Sequence, residues 1–403
     1  MDWTDSPEQA AFRAEVKTLI ADELPERYAE LARRGSLPER VWEFDRKSGE
    51  AEKESAARDW ASALDARGWV APHWPEEYGG AGLSPMEQFI LNQELAEAGA
   101  PGVGGSGVAM LGPTLIMHGT DEQKAKYLAP ILAGETTWAQ GYSEPGSGSD
   151  LASLQTRAVR DGDDFIINGQ KIWTSGAHAA DAMFALVRTD PNAPKHRGIS
   201  FVMIDDIHAP GITVRPLINM NDGHYFNEVF FEDVRVPARN LVGELNRGWY
   251  VGMTLLDFER SNIAGAVAAR RSLNQLFDEI RADELGARAR VGDGPLRHEL
   301  AERYVEIEVM YHLSFRIISM QNRGLVPNYE ASMAKLFNSE LSQRLALTAT
   351  RVFGLHANRF EEGDPASRAS RMYVAMVPAT IRGGTSEVQR NVIATRGLGL
   401  PRD

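Results

Sequence analysis

The segment at residues 142–150, YSEPGSGSD, has the residue types best suited to holding a ligand. Its glycines allow the backbone to approach a ligand closely, and its serines add hydroxyl donors to the backbone N–H groups. Such donors suit phosphate oxygens or the heteroatoms of an aromatic ring. The alternative is an ordinary polar turn that leads into a strand, and composition alone favours that alternative. The surrounding sequence must therefore decide between the two interpretations.

Other arrangements that could do chemistry are weaker. Residues 102–107, GVGGSG, match the GxGxxG fingerprint of dinucleotide binding, but a helical pattern precedes them where the fingerprint needs a strand. We interpret them as a flexible connection between helices. The chain has no cysteine, and its nine histidines lack the spacing of metal ligands; RHEL at 297–300 is not the HExxH motif. We therefore predict no metal site.

The bulk composition excludes several classes of function. The chain has 403 residues, of which 43% are hydrophobic and 25% charged, as in ordinary globular proteins. A net charge of −13 without a long basic run argues against nucleic acid as a partner, although a phosphate-bearing cofactor needs only a few local donors. The sequence contains no run of about eighteen apolar residues, so we predict no membrane span. Early acidic residues argue against a secretory signal peptide, so we expect a cytoplasmic protein.

Hydrophobic periodicity divides the chain into helical, β and helical segments. Helical patterns precede residue 134 and include residues 46–67 and 85–98. Turn signals then separate short apolar runs, which is typical of a small antiparallel barrel or sandwich. These runs are 156–159, 164–167, 182–187, 199–204, 212–216 and 227–231. Long helical stripes follow at about 248–281, 293–323, 328–354 and 366–396, and they predict an antiparallel bundle.

Several motifs occur in order around the 142–150 segment. They are HGTDEQK at 118–124, NGQKIWTS at 168–175, EVFFEDVRVP at 228–237 and GTSEVQR at 384–390. Over nearly all of its residues, the chain resembles the acyl-CoA dehydrogenase family. The resemblance implies a mainly α fold with a β middle domain: an N-terminal helical domain at 1–134, a small β-barrel or sandwich at 135–240 and a C-terminal four-helix bundle at 241–403.

The resemblance also implies a bound FAD. The matching cofactor positions are Tyr142, Ser143, Ser149, Trp173, Ser175, Thr385 and Glu387. In these roles, Trp173 covers one face of the isoalloxazine ring, while Ser143 and Ser175 donate hydrogen bonds to its heteroatoms. Taken alone, Trp173 is more simply explained as a core aromatic residue, and the flanking motifs favour the cofactor role.

The family reaction is the α,β-dehydrogenation of an acyl-CoA thioester, as in β-oxidation and related lipid metabolism. A base removes a proton from Cα, and a hydride passes from Cβ to flavin N5. The base must be a carboxylate whose pKa is raised in a dry pocket, and the thioester oxygen needs hydrogen-bond donors. The substrate-contacting positions implied by the resemblance are Ser149, Asp257, Arg260, Gly383 and Gly384.

The catalytic base implied by the resemblance is Glu259. Many family members carry the base just before the GT of the last motif, where this chain has Gly383, which cannot take a proton. The backbone N–H of Gly383 can still donate to the thioester oxygen. Glu259 precedes Arg260 at a second position from which members of the family supply a carboxylate. The alternative for Glu259 is a solvated helix carboxylate paired with an arginine, and a surface salt bridge is the alternative for Arg260.

The chain departs from the family where a neighbouring subunit often contacts the flavin phosphates. The usual Arg-x-x-Phe-Gly segment is missing, with ELGAR at 284–288 in its region, and the Gln-x-x-Gly-Gly segment is altered to RVFGL at 351–355. Either other residues bind the phosphates, or the chain pairs with a related subunit in a mixed α₂β₂ assembly. The ending at 390–402 resembles bacterial branches that form such pairs and act on steroid side chains or ring fragments. We therefore expect a homo- or hetero-oligomer, a dimer or a tetramer.

Three functions remain open from the sequence. The first is catalysis of acyl-CoA dehydrogenation, with an electron-transferring flavoprotein as the electron acceptor. The second is a non-catalytic or half-site subunit that completes a heteromeric enzyme. The third, ranked last, is a flavin monooxygenase on the same scaffold, because that chemistry does not require Glu259. The sequence does not identify the acyl group.

Overall fold

The computed structural model describes residues 4–34, 38, 40–254, 263–283, 285–292, 294–361 and 364–401. By its internal contacts the chain divides into two compact units. The β unit comprises Ala14–Ser84 and Gly99–Glu259, and the bundle unit comprises Met1–Arg13, Pro85–Ala98 and Arg260–Asp403. The candidate residues Asp257, Glu259 and Arg260 lie outside the described residues.

The helices, in chain order, are α1 (Pro7–Glu23), α2 (Glu26–Arg33), α3 (Val41–Arg46), α4 (Ala51–Asp65), α5 (Pro85–Ala98), α6 (Gly112–His118), α7 (Asp121–Leu132), α8 (Gly248–Thr254), α9 (Ile263–Ala282), α10 (Ala287–Val291), α11 (Pro295–Gln321), α12 (Tyr329–Phe353), α13 (Pro365–Met376) and α14 (Ser386–Val392). The strands are β1 (Trp138–Gly141), β2 (Arg157–Asp161), β3 (Asp164–Lys171), β4 (Ala182–Arg188), β5 (Ile199–Ile204), β6 (Ile212–Ile218), β7 (His224–Pro237) and β8 (Leu241–Val242). Among the described residues, no helix is long and apolar enough to cross a membrane.

The β unit is built on one eight-stranded sheet. Its strand order is β6-β7-β3-β2-β4-β5-β8, and β1 pairs with β4 beside this path. Most neighbours are antiparallel, as predicted, but β1 and β2 each pair in parallel with β4, and the prediction of an antiparallel barrel or sandwich did not include these two parallel pairings. All of β5 and all but the last residue of β4 are buried, and such continuous apolar runs suit strands that are covered on both faces.

A helix cap explains the HGTDEQK motif at 118–124. The Thr120 hydroxyl accepts a hydrogen bond from the Gln123 N–H, and the Gln123 side chain accepts from the Thr120 N–H, so together they form a capping box at the start of α7. The Gln123 amide nitrogen also donates to the carbonyl oxygens of Arg239 and Leu241, both at 2.8 Å. This motif therefore anchors α7 to the end of the sheet.

The bundle unit packs α9, α11, α12 and α13 together, with α5 against α9 and α11. Its buried core includes Leu273, Ile307, Met310, Leu341 and Phe353. The predicted continuous helix at 366–396 is wrong, because α13 ends at Met376 and α14 begins at Ser386. Pro378 and the left-handed backbone of Gly383 and Gly384 interrupt it. The predicted fold class is confirmed, while the division of the chain at residues 134 and 240 stays a prediction.

Candidate functional site

A buried ion pair fixes the loop that follows β1. The Lys171 ammonium has no exposed surface, and it donates to a Glu144 carboxylate oxygen at 2.8 Å and to the Tyr142 carbonyl at 3.2 Å. The same carboxylate accepts the backbone N–H groups of Gln155 and Thr156, at 2.6 and 2.9 Å. One side chain therefore ties the loop to β3 and to the start of β2. Such a pair is retained only when its remaining hydrogen bonds are satisfied, as they are here.

Opposing effects set the charges of this pair. Burial alone would raise the pKa of Glu144, but Lys171 and the hydrogen bonds from Thr156 and Gln155 hold that pKa below its usual range. Burial lowers the pKa of Lys171 to about 8, against the attraction of Glu144. Near neutral pH the pair is therefore charged on both sides.

A β-bulge presents the indole of Trp173. Lys171 still pairs with Val229, and the next regular pairing joins Thr174 to Asn227 through two backbone hydrogen bonds of 3.0 and 3.1 Å. Two residues thus stand opposite one residue of β7, which defines a bulge. Trp173 adopts a φ of +59°, a left-handed conformation that residues with a side chain rarely take.

The left-handed backbone leaves the Trp173 side chain 57% exposed, with its ring edge-to-face against Phe226 at 5.9 Å between centroids. The N–H of Ile172 turns from the ladder and donates to the Ser143 carbonyl at 3.0 Å. The bulge and the 142–150 loop are therefore directly joined. The structure brings Tyr142, Ser143, Trp173 and Ser175 into one region of the β unit, which we call the cradle.

The cradle has features that fit a planar ring with heteroatoms. Among the described residues, the Thr174 hydroxyl is buried and has no hydrogen-bond partner. Buried polar atoms without partners are rare in native proteins, and a ligand supplies the missing partner. An alanine Cβ at Gly146 or Gly148 would have no atom within 4 Å, so the loop backbone is open to an approaching group. Ser149 is exposed in the same loop.

The bundle unit contains the second candidate region, the glycine pair Gly383-Gly384. Both residues have left-handed backbones, with φ of +65° and +89°. The Lys335 ammonium donates to the carbonyl oxygens of Gly384 at 2.6 Å and Ala379 at 3.3 Å, and the Gln389 amide donates to the Gly383 carbonyl at 3.2 Å. Hydrogen bonds from Lys335 and Gln389 therefore hold the carbonyl groups of the glycine pair. Gly383 itself is exposed, and its N–H donates to no acceptor within the described part of the chain.

Thr385 and Glu387 follow the glycine pair at the start of α14. The Thr385 hydroxyl accepts the Val388 N–H at 3.2 Å and so caps the helix. Glu387 is exposed in the first turn, where hydrogen bonds from its own backbone N–H and from Thr385 lower the pKa of its carboxyl. Within the described residues, no group of three or more His, Asp or Glu side chains could hold a metal ion.

Sequence reasoning missed the residues that support both regions: Glu144, Lys171, Asn227, Lys335 and Gln389. For Lys171 a signal was present, because strand alternation places it on the inward face of β3 with Phe165 and Ile167. A lysine on such a face needs a buried acidic partner, and Glu144 in the adjacent motif supplies it. Lys335 lies 49 residues from the carbonyl of Gly384 that it binds, and no local pattern reports that contact.

Three family models match the chain in order. They are the N-terminal domain of acyl-CoA dehydrogenase at residues 6–135, its middle domain at 139–234 and its C-terminal domain at 246–398. Helical, β and helical segments that carry a cradle and a glycine pair of this kind define a class of flavoprotein oxidoreductases. The chain belongs to the acyl-CoA dehydrogenase family, and it is an enzyme of that type.

Individual relatives match the chain over nearly its full length. The chain is 37% identical over 396 residues to the acyl-CoA dehydrogenase IpdE1 of Mycobacterium tuberculosis, which covers 97% of this chain and 98% of that protein. A structure described as the Tcur3481-Tcur3483 steroid ACAD is 34% identical with a TM-score of 0.83, and the ChsE4-ChsE5 complex from Mycobacterium tuberculosis is 33% identical with a TM-score of 0.82. Both matches cover 100% of each chain.

Proposed function

We propose that this enzyme binds FAD and oxidises the Cα–Cβ bond of an acyl-CoA thioester. The observation that carries the proposal is the left-handed Trp173 bulge, which exposes an indole next to Thr174, whose buried hydroxyl has no hydrogen-bond partner among the described residues. An exposed aromatic face with an unpaired hydroxyl on the adjacent residue suits a planar ring that carries hydrogen-bonding atoms. Membership of a family of flavoproteins supports the same ligand.

The proposal gives the cradle residues distinct tasks. Trp173 would cover one face of the isoalloxazine ring, Ser143 and Ser175 would donate to its heteroatoms, and Tyr142 is a further cofactor position. Ser149 lies in the open loop and serves the cofactor or the acyl-CoA. Thr385 and Glu387 are the further cofactor positions, on the bundle unit. When bound, FAD supplies the electron acceptor for the hydride that leaves Cβ.

The proton chemistry falls to Glu259 and to the glycine pair. We assign the base to Glu259, which accepts the proton from Cα, and the substrate contacts to Asp257 and Arg260. The exposed N–H of Gly383, with that of Gly384, donates to the thioester oxygen, on which charge develops as Cα loses its proton. The Gln389 amide donates to the Gly383 carbonyl, which shares a peptide plane with the Gly384 N–H, so this hydrogen bond helps to orient that donor.

Glutamine at position 259 tests the base. We expect Glu259→Gln to slow the anaerobic bleaching of bound flavin by acyl-CoA about 10²- to 10⁴-fold, because a glutamine amide cannot accept the proton. Glu302→Gln is the matched control, since the Glu302 carboxylate is exposed on α11 and, among the described residues, pairs only with the neighbouring Arg303. Undiminished bleaching in Glu259→Gln would remove Glu259 from the mechanism.

Glutamate at position 383 provides a second, independent test. Among the described residues, a Cβ there would meet only the Lys335 Cε, at 3.9 Å, so the start of a side chain fits despite the left-handed backbone. We expect Gly383→Glu to restore part of the bleaching rate in the Glu259→Gln enzyme. No gain in the double variant would mean that a carboxylate at position 383 does not reach the substrate.

A mixed assembly is the second candidate, supported by two observations. Two structural relatives are described as pairs of different components, Tcur3481-Tcur3483 and ChsE4-ChsE5. This chain also lacks the Arg-x-x-Phe-Gly segment that a neighbouring copy would supply. FAD stoichiometry discriminates between the alternatives: a homo-oligomer binds one FAD per chain when purified alone, whereas a half-site subunit binds FAD only after a related subunit is added.

The substrate and the acceptor complete the proposal. Because one relative is described as a steroid ACAD, we propose a bulky, steroid-type acyl-CoA and an electron-transferring flavoprotein as the acceptor. A panel of CoA thioesters, from short straight chains to branched and ring-bearing ones, tests the first point. A preference for short straight chains would contradict it. Electron transfer to a purified electron-transferring flavoprotein, measured against an artificial dye, tests the second.

A further inference from the structure

Asn227 is a fully buried polar residue that contacts the Trp173 bulge from β7. Its exposed surface is 0%, and its backbone makes both hydrogen bonds of the pairing with Thr174. Its side-chain nitrogen, Nδ2, donates to the Thr174 carbonyl at 3.0 Å. Three hydrogen bonds therefore join Asn227 to the residue that follows Trp173.

Two histidines hold the Asn227 side chain in one orientation. Because Nδ2 donates one hydrogen to a carbonyl, it is the amide nitrogen, and it donates its second hydrogen to Nδ1 of His178, with 3.1 Å between the two nitrogen atoms. The amide oxygen accepts from Nε2 of His224 at 2.9 Å. The two imidazole rings stack at 3.9 Å between centroids. Both donors and the oxygen of Asn227 are thus in use, and the amide cannot flip.

The Asn227 side chain contacts the backbone directly after the residue that has the strained conformation. Trp173 is the residue with the left-handed φ, and the bulge is held on its N-terminal side by the bond from Ile172 to Ser143. Beyond Thr174, the Gly176 N–H donates to the Tyr225 carbonyl at 2.8 Å. Among these contacts on the C-terminal side, only that of Asn227 adds a side chain to the backbone pairing.

We propose that Asn227 is a positioning residue, which holds Thr174 so that Trp173 stays in its left-handed conformation and Ser175 stays in the cradle. This inference rests on the proposed FAD site. Asn227 does not touch the cofactor, and it acts through the carbonyl of Thr174. Removal of its amide would release the bulge to an ordinary backbone conformation and withdraw the indole from the ring that it covers.

FAD affinity and the visible circular dichroism of the bound flavin test this role in the purified holoenzyme. We expect Asn227→Ala and Asn227→Asp to weaken FAD binding about tenfold and to change the flavin dichroism, since each loses the bond to Thr174. Asn219→Ala is the matched control, because its side chain accepts two backbone N–H groups at 2.9 Å in the turn between β6 and β7 and has no bond to Thr174. Equal affinity and dichroism in the Asn227 variants and wild type would overturn the proposal.

Amide hydrogen exchange separates positioning from general support of the sheet. We expect Asn227→Ala to accelerate exchange at Thr174 and Gly176 while β5 stays protected, and an added Trp173→Gly change to restore protection, because glycine accepts the left-handed backbone. Equal acceleration throughout the sheet would overturn the proposal. If Asn227→Ala does not fold, Trp173→Gly alone decides: slower exchange at Thr174 supports a strained bulge, and unchanged exchange contradicts it. A wild-type chain that binds no FAD, either alone or with a related subunit, would defeat the proposed function, whereas the exchange experiment still judges Asn227.

Discussion

The cradle and the glycine pair are both built from small residues and backbone groups, but different interactions hold them. In the cradle, a buried ion pair and paired strands fix the 142–150 loop and the Trp173 bulge, with Lys171 at 0% exposure. The glycine pair lies between a short helical turn and the start of α14, and it is held by two side chains, Lys335 and Gln389. Buried groups support the cradle, whereas one side chain from α12 and one from α14 support the glycine pair.

This difference agrees with the tasks that we assign. A cofactor that stays bound needs a surface with one fixed shape, and burial of the supporting groups provides it. A substrate that enters and leaves on each turnover needs donors at a fixed place on an exposed surface, and the left-handed glycines aim their N–H groups without a core around them. We therefore expect substitutions of the supporting groups to cost more in the cradle than at the glycine pair.

The largest effect should come from Lys171→Met. This change leaves the Glu144 carboxylate buried without its ammonium partner, and we expect a loss of about 3–5 kcal/mol in the free energy of unfolding. Urea denaturation followed by circular dichroism measures it. The control is Lys195→Met in the pair with Asp150, whose atoms lie 2.6 Å apart but whose side chains are both 59% exposed. We expect no measurable change there, and equal losses would show that burial does not set the strength of these pairs.

The pH dependence of the free energy of unfolding should differ between the wild type and Lys171→Met. In the wild type the pKa of Glu144 lies below its usual range, so its contribution is complete above about pH 4.5 and is lost as pH falls through the folded-state pKa. In Lys171→Met, burial without a cation raises the pKa of Glu144, so stability should fall as pH rises above about 4.5. Unfolding midpoints between pH 4 and 7 test whether the slope reverses. Parallel slopes would contradict the assignment.

Parts of this architecture were predictable and parts were not, for physical reasons. Helix α5 and strand β5 begin and end at the predicted residues 85–98 and 199–204, because a continuous apolar pattern and flanking turn residues specify them locally. Strand β7 extends well beyond 227–231, since its exposed positions carry polar residues that hide a strand in the sequence. The break between α13 and α14 was missed, although Pro378 and two glycines cause it.

The candidate residues divide in the same way. Tyr142, Ser143, Trp173 and Ser175 came from local motifs, and the structure gathers them in the cradle. The supports are non-local: Asn227 lies 53 residues from the Thr174 carbonyl that its side chain binds, and the pairing of distant strands sets that contact. Motifs therefore name the residues that would face a ligand, and tertiary structure names those that hold them.

Alanine substitution of the two glycines tests the exposed region. Gly384→Ala should cost about 2 kcal/mol in the free energy of unfolding, because its left-handed backbone disfavours a Cβ and that Cβ would displace the hydrogen-bonding Gln389 amide. The new Cβ would lie 2.6 Å from the Gln389 nitrogen. Gly383→Ala has the same backbone problem in open space, so we expect about 1 kcal/mol. Thermal unfolding of both variants checks the order, and a larger cost at Gly383 would contradict it.

Lys335→Met should weaken substrate binding and stability to about the same extent. Burial, followed by the nearby Arg382, lowers the pKa of Lys335, yet its ammonium still donates to two carbonyls of the loop. We expect a loss of about 1 kcal/mol in stability and about a fivefold rise in the KM for acyl-CoA, with the FAD content unchanged. Arg344→Met is the control, since that residue of α12 pairs with Glu306 and does not touch the loop. A rise in KM in both variants would show a general effect of the bundle.

The smallest effect on stability should come from Gly148→Ala in the cradle loop, and it separates folding from ligand binding. Gly148 has no left-handed backbone, and a Cβ there would meet nothing within 4 Å, so we expect a change within about 0.5 kcal/mol. If the loop backbone approaches FAD closely, however, the added methyl group occupies space that the cofactor needs, and FAD affinity should fall.

Gly162→Ala is the comparison, because it lies in a turn away from the loop and is strained by a φ of +61°. The two variants should have opposite effects. Gly162→Ala should lower stability without changing FAD affinity, whereas Gly148→Ala should lower FAD affinity without changing stability. Unchanged FAD affinity in Gly148→Ala would mean that the cofactor does not contact this part of the loop, and the proposed cofactor contacts of the 142–150 loop would then be limited to its start, at Tyr142 and Ser143.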